Sequence, residues 1–386
     1  MKTGQIIISC IILIGMLSAC NLPSGGSELP TAVSAPTEII PVPTEPVMSV
    51  PTEPTIPTPL PPAEPRILYS VAGGALKFGI TFQIPRGVGL AGVTSMTQTV
   101  MSPLAGEPTD FVGTPFSWSP DGAWVVFVST RTGSAQLYVM DATGVNAQPI
   151  TSEGENASPA WSPDGAWIAF VSTQGRESNI YLVKPDGSNL ACLTCDLEGS
   201  EISPAWSPDS GTIVFAPAVG PGSLIVINVI TKETRIVSSP ELKSAAPFFS
   251  PDGQFILYEC EQSLCVNTSY GNVQGMFPSG GGADAQAAMS PDGKRIAFIS
   301  NRDGNYDLYV ANLDGTDLLR LTSTPYDEMH PAWSPDGQWI AYASATAFQE
   351  DYTNFDIFII QLDGENMKQL TKSPDNEFYP RWSPKP

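Results

Sequence analysis

Residues 159–165 read Pro-Ala-Trp-Ser-Pro-Asp-Gly, and the same seven residues return at 331–337. The Ser-Pro-Asp core starts at Ser119, Ser162, Ser207, Ser250, Ser290 and Ser334, at spacings of 43, 45, 43, 40 and 44 residues. A last Ser383-Pro384 follows. A period of this length is that of a four-strand propeller blade. Each unit opens with a short apolar stretch ending in Trp-Ser, at Trp118, Trp161, Trp206, Trp333 and Trp382, with Phe249 and Met289 standing in for Trp elsewhere. Pro-Asp-Gly then sets a type I turn: proline fixes φ at the first corner and glycine accepts the left-handed conformation that follows. A second strand comes next, as in Ile168 to Ser172 or Arg295 to Ser300, and a third, as in Ile180 to Val183. An Asp-Gly turn at 186–187, 314–315 or 363–364 leads to a short fourth strand closing on Leu-Thr, at Leu193-Thr194, Leu321-Thr322 and Leu370-Thr371. The tryptophans read as core or blade-interface aromatics.

These residues resemble the WD40-like PD40 repeat of the TolB-type β-propellers. The likeness extends to the run Ala297 to Thr322, with Asn301-Arg302-Asp303-Gly304 between strands, and covers about residues 115–386. It implies an all-β propeller of four-stranded blades. Six full repeats run from 115 to 378, after which Tyr379 to Ser383 supplies a lone inner strand. An unpaired innermost strand is an exposed edge, which propellers avoid. Its expected partner is the stretch 66–114, which begins in the style of a second strand with Ile67-Leu68-Tyr69-Ser70. Seven blades are therefore favoured; the alternative is six, with 66–114 as a plug or cap.

Composition excludes several classes. The 386-residue chain carries 18 Lys+Arg against 39 Asp+Glu, a net charge of −21, so it lacks the basic footprint of a nucleic-acid binder. Thirty-eight prolines exclude a coiled coil or helix bundle. One histidine, His330, excludes an enzyme built on several. No cofactor and no resident metal are expected.

The N-terminus reads as an address. Lys2 precedes an apolar run, Ile6 to Leu17, of signal-peptide length and short for a membrane span. It ends in Leu17-Ser18-Ala19-Cys20, which resembles the bacterial lipobox. Residues 1–19 are then a lipoprotein signal peptide, Cys20 is the lipidation site, and the mature protein is extracytoplasmic and held to a membrane by its lipid chains. Residues 20–65 form a linker; from 21 on it holds 13 prolines, five glutamates, no Lys or Arg, and Pro-Thr-Glu three times. Such a segment cannot bury enough apolar area to offset its ordering entropy and is expected to be a disordered, extended stalk. A recognition peptide is the other reading. Residues 66–386 form the propeller, which keeps 34 of the 39 acidic residues.

Four cysteines remain beyond Cys20. Cys260 and Cys265 straddle a hairpin loop, and Cys192 and Cys195 flank Leu-Thr at the end of a fourth strand. Two local disulfides are expected outside the cytoplasm; a zinc site from both pairs is the alternative.

Strand alternation places the Ser-Pro-Asp-Gly and Asp-Gly turns on one face and the variable loops on the other, where binding residues usually sit. Those loops carry Glu201, Asp327 and Glu328 among other acids, either as solubilising charge or as an acidic mouth. Three residues before each Trp position stand Ser158, Ser203, Ala246, Gln286, His330 and Tyr379, expected to ring the channel entrance. Asn301, Asp303, Asn305 and Asp307 alternate in one loop but lack the glycine and distal glutamate of an EF-hand. The longest inter-strand loop, Thr346 to Asn354, offers Phe348 and Tyr352 as contacts. These features point to a membrane-tethered, non-catalytic, monomeric module that binds an envelope or extracellular protein, or a glycan. The competing reading is a propeller lyase or glycoside hydrolase acting on extracellular polysaccharide.

Overall fold

A computed structural model describes residues 66–72, 85–92, 98–103, 116–175, 177–218, 222–241, 243–277, 280–349, 352–372 and 376–384. The expected signal peptide, Cys20 and the stalk lie outside the described residues. The described strands form four-stranded antiparallel sheets, as propeller blades require. Six sheets are contiguous in the chain, with first strands at Phe116–Trp118, Asn156–Trp161, Glu201–Trp206, Ser244–Phe249, Asp284–Met289 and Glu328–Trp333. One further sheet is composite. Its strands run in the order Asn376–Trp382, Arg66–Ala72, Pro85–Gly92, Gln98–Pro103, so the two ends of the propeller segment pair, with Ile67 opposite Trp382 and Val71 opposite Glu377. First strands of neighbouring sheets touch one another, which makes them the innermost.

The apolar core lies between the sheets. Phe170 and Ile168 of one sheet pack on Val126 and Leu137 of the sheet before, and Trp206 and Phe215 pack on Val171 and Ile180 in the same way. The composite sheet is wedged similarly: Ile67 and Trp382 pack on Ala341 and Ile357, while Leu68 packs on Phe116 and Trp118. Four indoles stitch the inner layer. Trp206, Trp333 and Trp382 donate Nε1–H to the carbonyls of Ala160, Ala288 and Ala332 at 3.0 Å, and Trp118 to that of Arg381 at 3.4 Å. Each acceptor immediately precedes the Trp position of the sheet before. Trp161 departs from this and donates to Gly165 in its own turn.

The repeated motif has a local cause. In each turn the serine hydroxyl donates to the aspartate Oδ1, at 2.6 Å for Ser162 and Asp164. That hydroxyl accepts the Trp167 N–H, and Asp164 accepts the Ala166 N–H. Gly165 closes the turn at φ +75°. In the third repeat Ser210 occupies this left-handed position instead of glycine, at φ +58°.

The closing Leu-Thr also has a cause. Thr194 and Thr322 accept the N–H of Ile180 and Leu308 and donate to Glu201 and Glu328, which open the next sheet. Thr371 and Glu377 repeat the link. At one seam two serines, Ser238 and Ser244, take these places.

One expected loop is strand. Thr346 to Asn354 belongs to the long hairpin Trp339–Gln349 and Tyr352–Gln361, with Phe348 opposite Thr353 and Gln349 opposite Tyr352. Thr346, Phe348, Tyr352 and Thr353 are residue types that favour strands.

Candidate binding site on the propeller axis

The six residues three positions before the Trp site share one conformation. Ser158, Ser203, Ala246, Gln286, His330 and Tyr379 all have positive φ, between 46° and 55°. Each sits where the inner strand slips register against its partner, as between Met329 and Ala332. A bulge of this kind leaves one residue out of the ladder and re-aims its side chain. Proline follows in five of the six, at 159, 204, 247, 331 and 380. A non-glycine residue held in the left-handed region costs about 1–3 kcal/mol, so the repeated bulge is imposed by the surrounding sheet.

The bulged residues of three adjacent sheets are linked. The Glu259 carboxylate, on the second strand of its sheet, accepts the Gln286 N–H at 2.7 Å. The Gln286 side-chain carbonyl accepts the His330 N–H at 2.6 Å. The His330 imidazole lies against the Tyr379 ring and meets Phe378 edge-on at 5.9 Å. Each side chain thus fixes the bulge of its neighbour. The His330 Nδ1 is buried and has no hydrogen-bond partner. Burial pushes the imidazole down to about 3, with the Arg381 charge adding to the effect, so it is neutral at physiological pH. Burial also raises Tyr379 and Glu259.

Arg381 completes the cluster. It immediately precedes Trp382, where the other repeats place Ser117, Ala160, Ala205, Phe248, Ala288 and Ala332. Among the described residues no carboxylate pairs with it; one Nη1 donates to the Pro380 carbonyl at 3.3 Å. Arg381 is partly buried, and desolvation lowers its pKa.

The TolB β-propeller domain model, PD40, matches residues 98–277 and 264–349. The chain belongs to the TolB β-propeller family. The Tol-Pal system protein TolB of Desulfosudis oleivorans is 48% identical over 50 residues, 13% of this chain and 11% of that protein. The chain therefore spans about a tenth of that relative. TolB from Acinetobacter baumannii superposes with a TM-score of 0.51 at 21% identity, over 83% of each chain. Oligogalacturonate lyase from Vibrio parahaemolyticus superposes at 0.56 and 16% identity, over 80% of this chain and 86% of that one. At these identities the two structures speak for the fold alone.

Within this TolB-family propeller the expected site residues separate into groups. Gln286, His330 and Tyr379 come together on the axis. Asp327 accepts the Tyr306 N–H at 2.8 Å and so anchors a loop. Glu328 does not belong to an exposed acidic mouth: it is fully buried and accepts from Thr322, Thr324 and Ser344. Burial raises it and Glu201 to about 7. Phe348 and Tyr352 stand near the tip of the long hairpin, and no contact among the described residues joins them to the axial set. The Asn301 to Asp307 stretch is occupied internally: Asp307 pairs with Arg320 at 2.7 Å, Asn305 donates to the Tyr326 carbonyl, and Asp303 accepts from Tyr309. Cys192 is bonded to Cys195 and Cys260 to Cys265. A cleft of about 330 Å³ between Pro291, Trp333 and Pro335 lies at the Ser-Pro-Asp-Gly turns and holds none of the expected residues. Arg381 and Glu259 were not among the expected residues. For Arg381 the signal was present: aligned repeats show an arginine in a column of mostly alanine and serine.

Proposed function

We propose that the protein is a membrane-anchored extracytoplasmic lipoprotein whose propeller binds a partner at the axial mouth without catalysis. The observation that carries this reading is the axial set itself. Gln286, His330 and Tyr379, from three adjacent sheets, are held on strained bulges, and their backbone N–H groups or rings hold one another in place. A rigid rim of polar and aromatic side chains is a recognition surface. The lipobox at Cys20 and the proline-rich stretch to residue 65 suit a tether, with the partner an envelope or extracellular protein or a glycan. We further propose that the composite sheet closes a ring of seven blades; the Trp118 bond to Arg381 and the packing of Leu68 on Phe116 support closure.

The test is crosslinking and pull-down from cells expressing the full lipidated chain, with Tyr379→Ala as comparison. A defined envelope component captured by the wild type and lost with the variant is the expected result. Depolymerisation of a polyuronate by the purified chain, with and without EDTA, overturns the non-catalytic reading.

A further inference from the structure

We infer that the axial site takes a carboxylate, with Arg381 as its counter-ion. This names the chemistry of the site proposed above and rests on that reading.

The donor and acceptor inventory supports it. Arg381 has five N–H donors, of which one is used, on its neighbour's carbonyl. A partly buried charge without a partner is costly, and the chain holds an excess of acids that this cation nonetheless does not meet among the described residues. The Gln286 carbonyl is committed to the His330 N–H, which leaves its amide NH2 as the unspent end. The Tyr379 hydroxyl has no partner among the described residues. The one nearby carboxylate of the linked set, Glu259, is occupied by the Gln286 N–H. The cluster is therefore rich in unspent donors, and Arg381 is its cation, because His330 is neutral.

Shape agrees. The strand position of Arg381 is filled by Ser117, Ala160, Ala205, Ala288 and Ala332 in five other sheets and by Phe248 in one, and Ser158, Ser203 and Ala246 occupy the remaining bulges. The large bulge residues Gln286, His330 and Tyr379 thus belong to three consecutive first strands and the small ones to the three before them. A guanidinium matches a carboxylate in two parallel hydrogen bonds, and Phe378 and Tyr379, whose rings meet each other, precede Arg381 on the same strand.

The experiment is calorimetric titration of the full purified chain with two matched pairs of probes. N-acetylphenylalanine is compared with N-acetylphenylalaninamide, and galacturonate with galactose. At least one carboxylate is expected to bind about tenfold or more tightly than its neutral partner; the pair that responds tells a peptide carboxylate from a sugar one. Arg381→Met is expected to abolish the preference. In carboxylate-free buffer its Tm is expected to equal or exceed that of the wild type, because the variant removes an unpaired, partly buried charge. The proposal is overturned if neither carboxylate outbinds its neutral partner, or if R381M keeps the preference. It is also overturned if R381M melts more than about 5 °C lower, the mark of a structural arginine. These readings use the isolated chain, so they succeed or fail independently of partner capture in cells.

Discussion

The imidazole of His330 and the phenol ring of Tyr379 lie with their centroids 3.8 Å apart and their planes inclined by 34°. The two residues occupy the same bulge position in adjacent sheets, one of them the composite sheet. Tyr379→Ala removes this contact and part of the packing on Leu68 and Phe116. It is expected to cost about 2 kcal/mol, read as a lower urea midpoint. Tyr379→Phe keeps the ring and is expected to stay within about 0.5 kcal/mol of wild type.

Acid and base limits on stability follow from buried groups of opposite sign. Glu201 and Glu328 are raised by burial to about 7, so the folded state binds their protons more tightly than the unfolded chain. Their contribution is full below about pH 4.5 and is lost as the pH rises through 7. His330 is depressed by burial to about 3, so its contribution is present above about pH 6.5 and is lost as the pH falls toward 3. Between these limits the two effects oppose each other. Glu328→Gln should therefore leave stability rising more steeply from pH 4.5 to 6.5, by about 1–2 kcal/mol. Urea midpoints at four pH values decide this; an unchanged slope excludes Glu328 as a titrating group.

The turn aspartates respond at lower pH. Asp164, Asp209, Asp252 and Asp292 are each held below the ordinary range, first by the serine hydroxyl two residues earlier and then by a backbone N–H. Their contribution is present above about pH 4 and is lost as the pH falls through the depressed value. Asp164→Ala is expected to cost about 1 kcal/mol at pH 7 and less at pH 2. An equal cost at both pH values assigns the effect to backbone propensity instead.

Trp382 reports on the composite sheet. Its indole donates to the Ala332 carbonyl and its ring packs on Ala341 and Ile357. Trp382→Phe is expected to cost about 1–2 kcal/mol, and Trp382→Ala about 3–5 kcal/mol. Limited proteolysis should then cut both ends of the propeller segment together, between 66 and 103 and after 369. Cleavage at one end alone counts against their pairing.

The fold was legible because each repeated residue has a local task. Serine and aspartate cap a turn, glycine accepts its left-handed corner, and the tryptophan fills the seam between sheets. The pairing of Ile67 with Trp382 was legible for a negative reason: an innermost strand cannot be left without a neighbour. The site was only half legible. Register alone brought Gln286, His330 and Tyr379 to one ring. It gave no hint that Glu328 turns inward, because charge in a loop reads as exposed until the threonine that receives it is known. Arg381 stands beside the repeated Trp-Ser pair as one charged residue in a column of mostly small ones, so no period in the sequence marks it. The hairpin at 346–354 was missed because strand length is set by cross-strand neighbours that the sequence does not print.

The threonine-to-glutamate link has a consequence for what counts as one unit of this protein. Thr322 ends one written repeat and Glu328 begins the next, yet the hydroxyl and the carboxylate satisfy each other inside the same seam. The written repeat is thus a half-open piece at both ends, and the piece that can close on itself is offset from it, running across two neighbouring sheets. A copy inserted or lost by recombination between equivalent threonines would join like seams to like seams. Growth and shrinkage of such a ring are therefore chemically neutral at junctions of this kind, while the seams built otherwise, Thr151 with Asn156 and Ser238 with Ser244, would meet a foreign repeat with a different pair of groups.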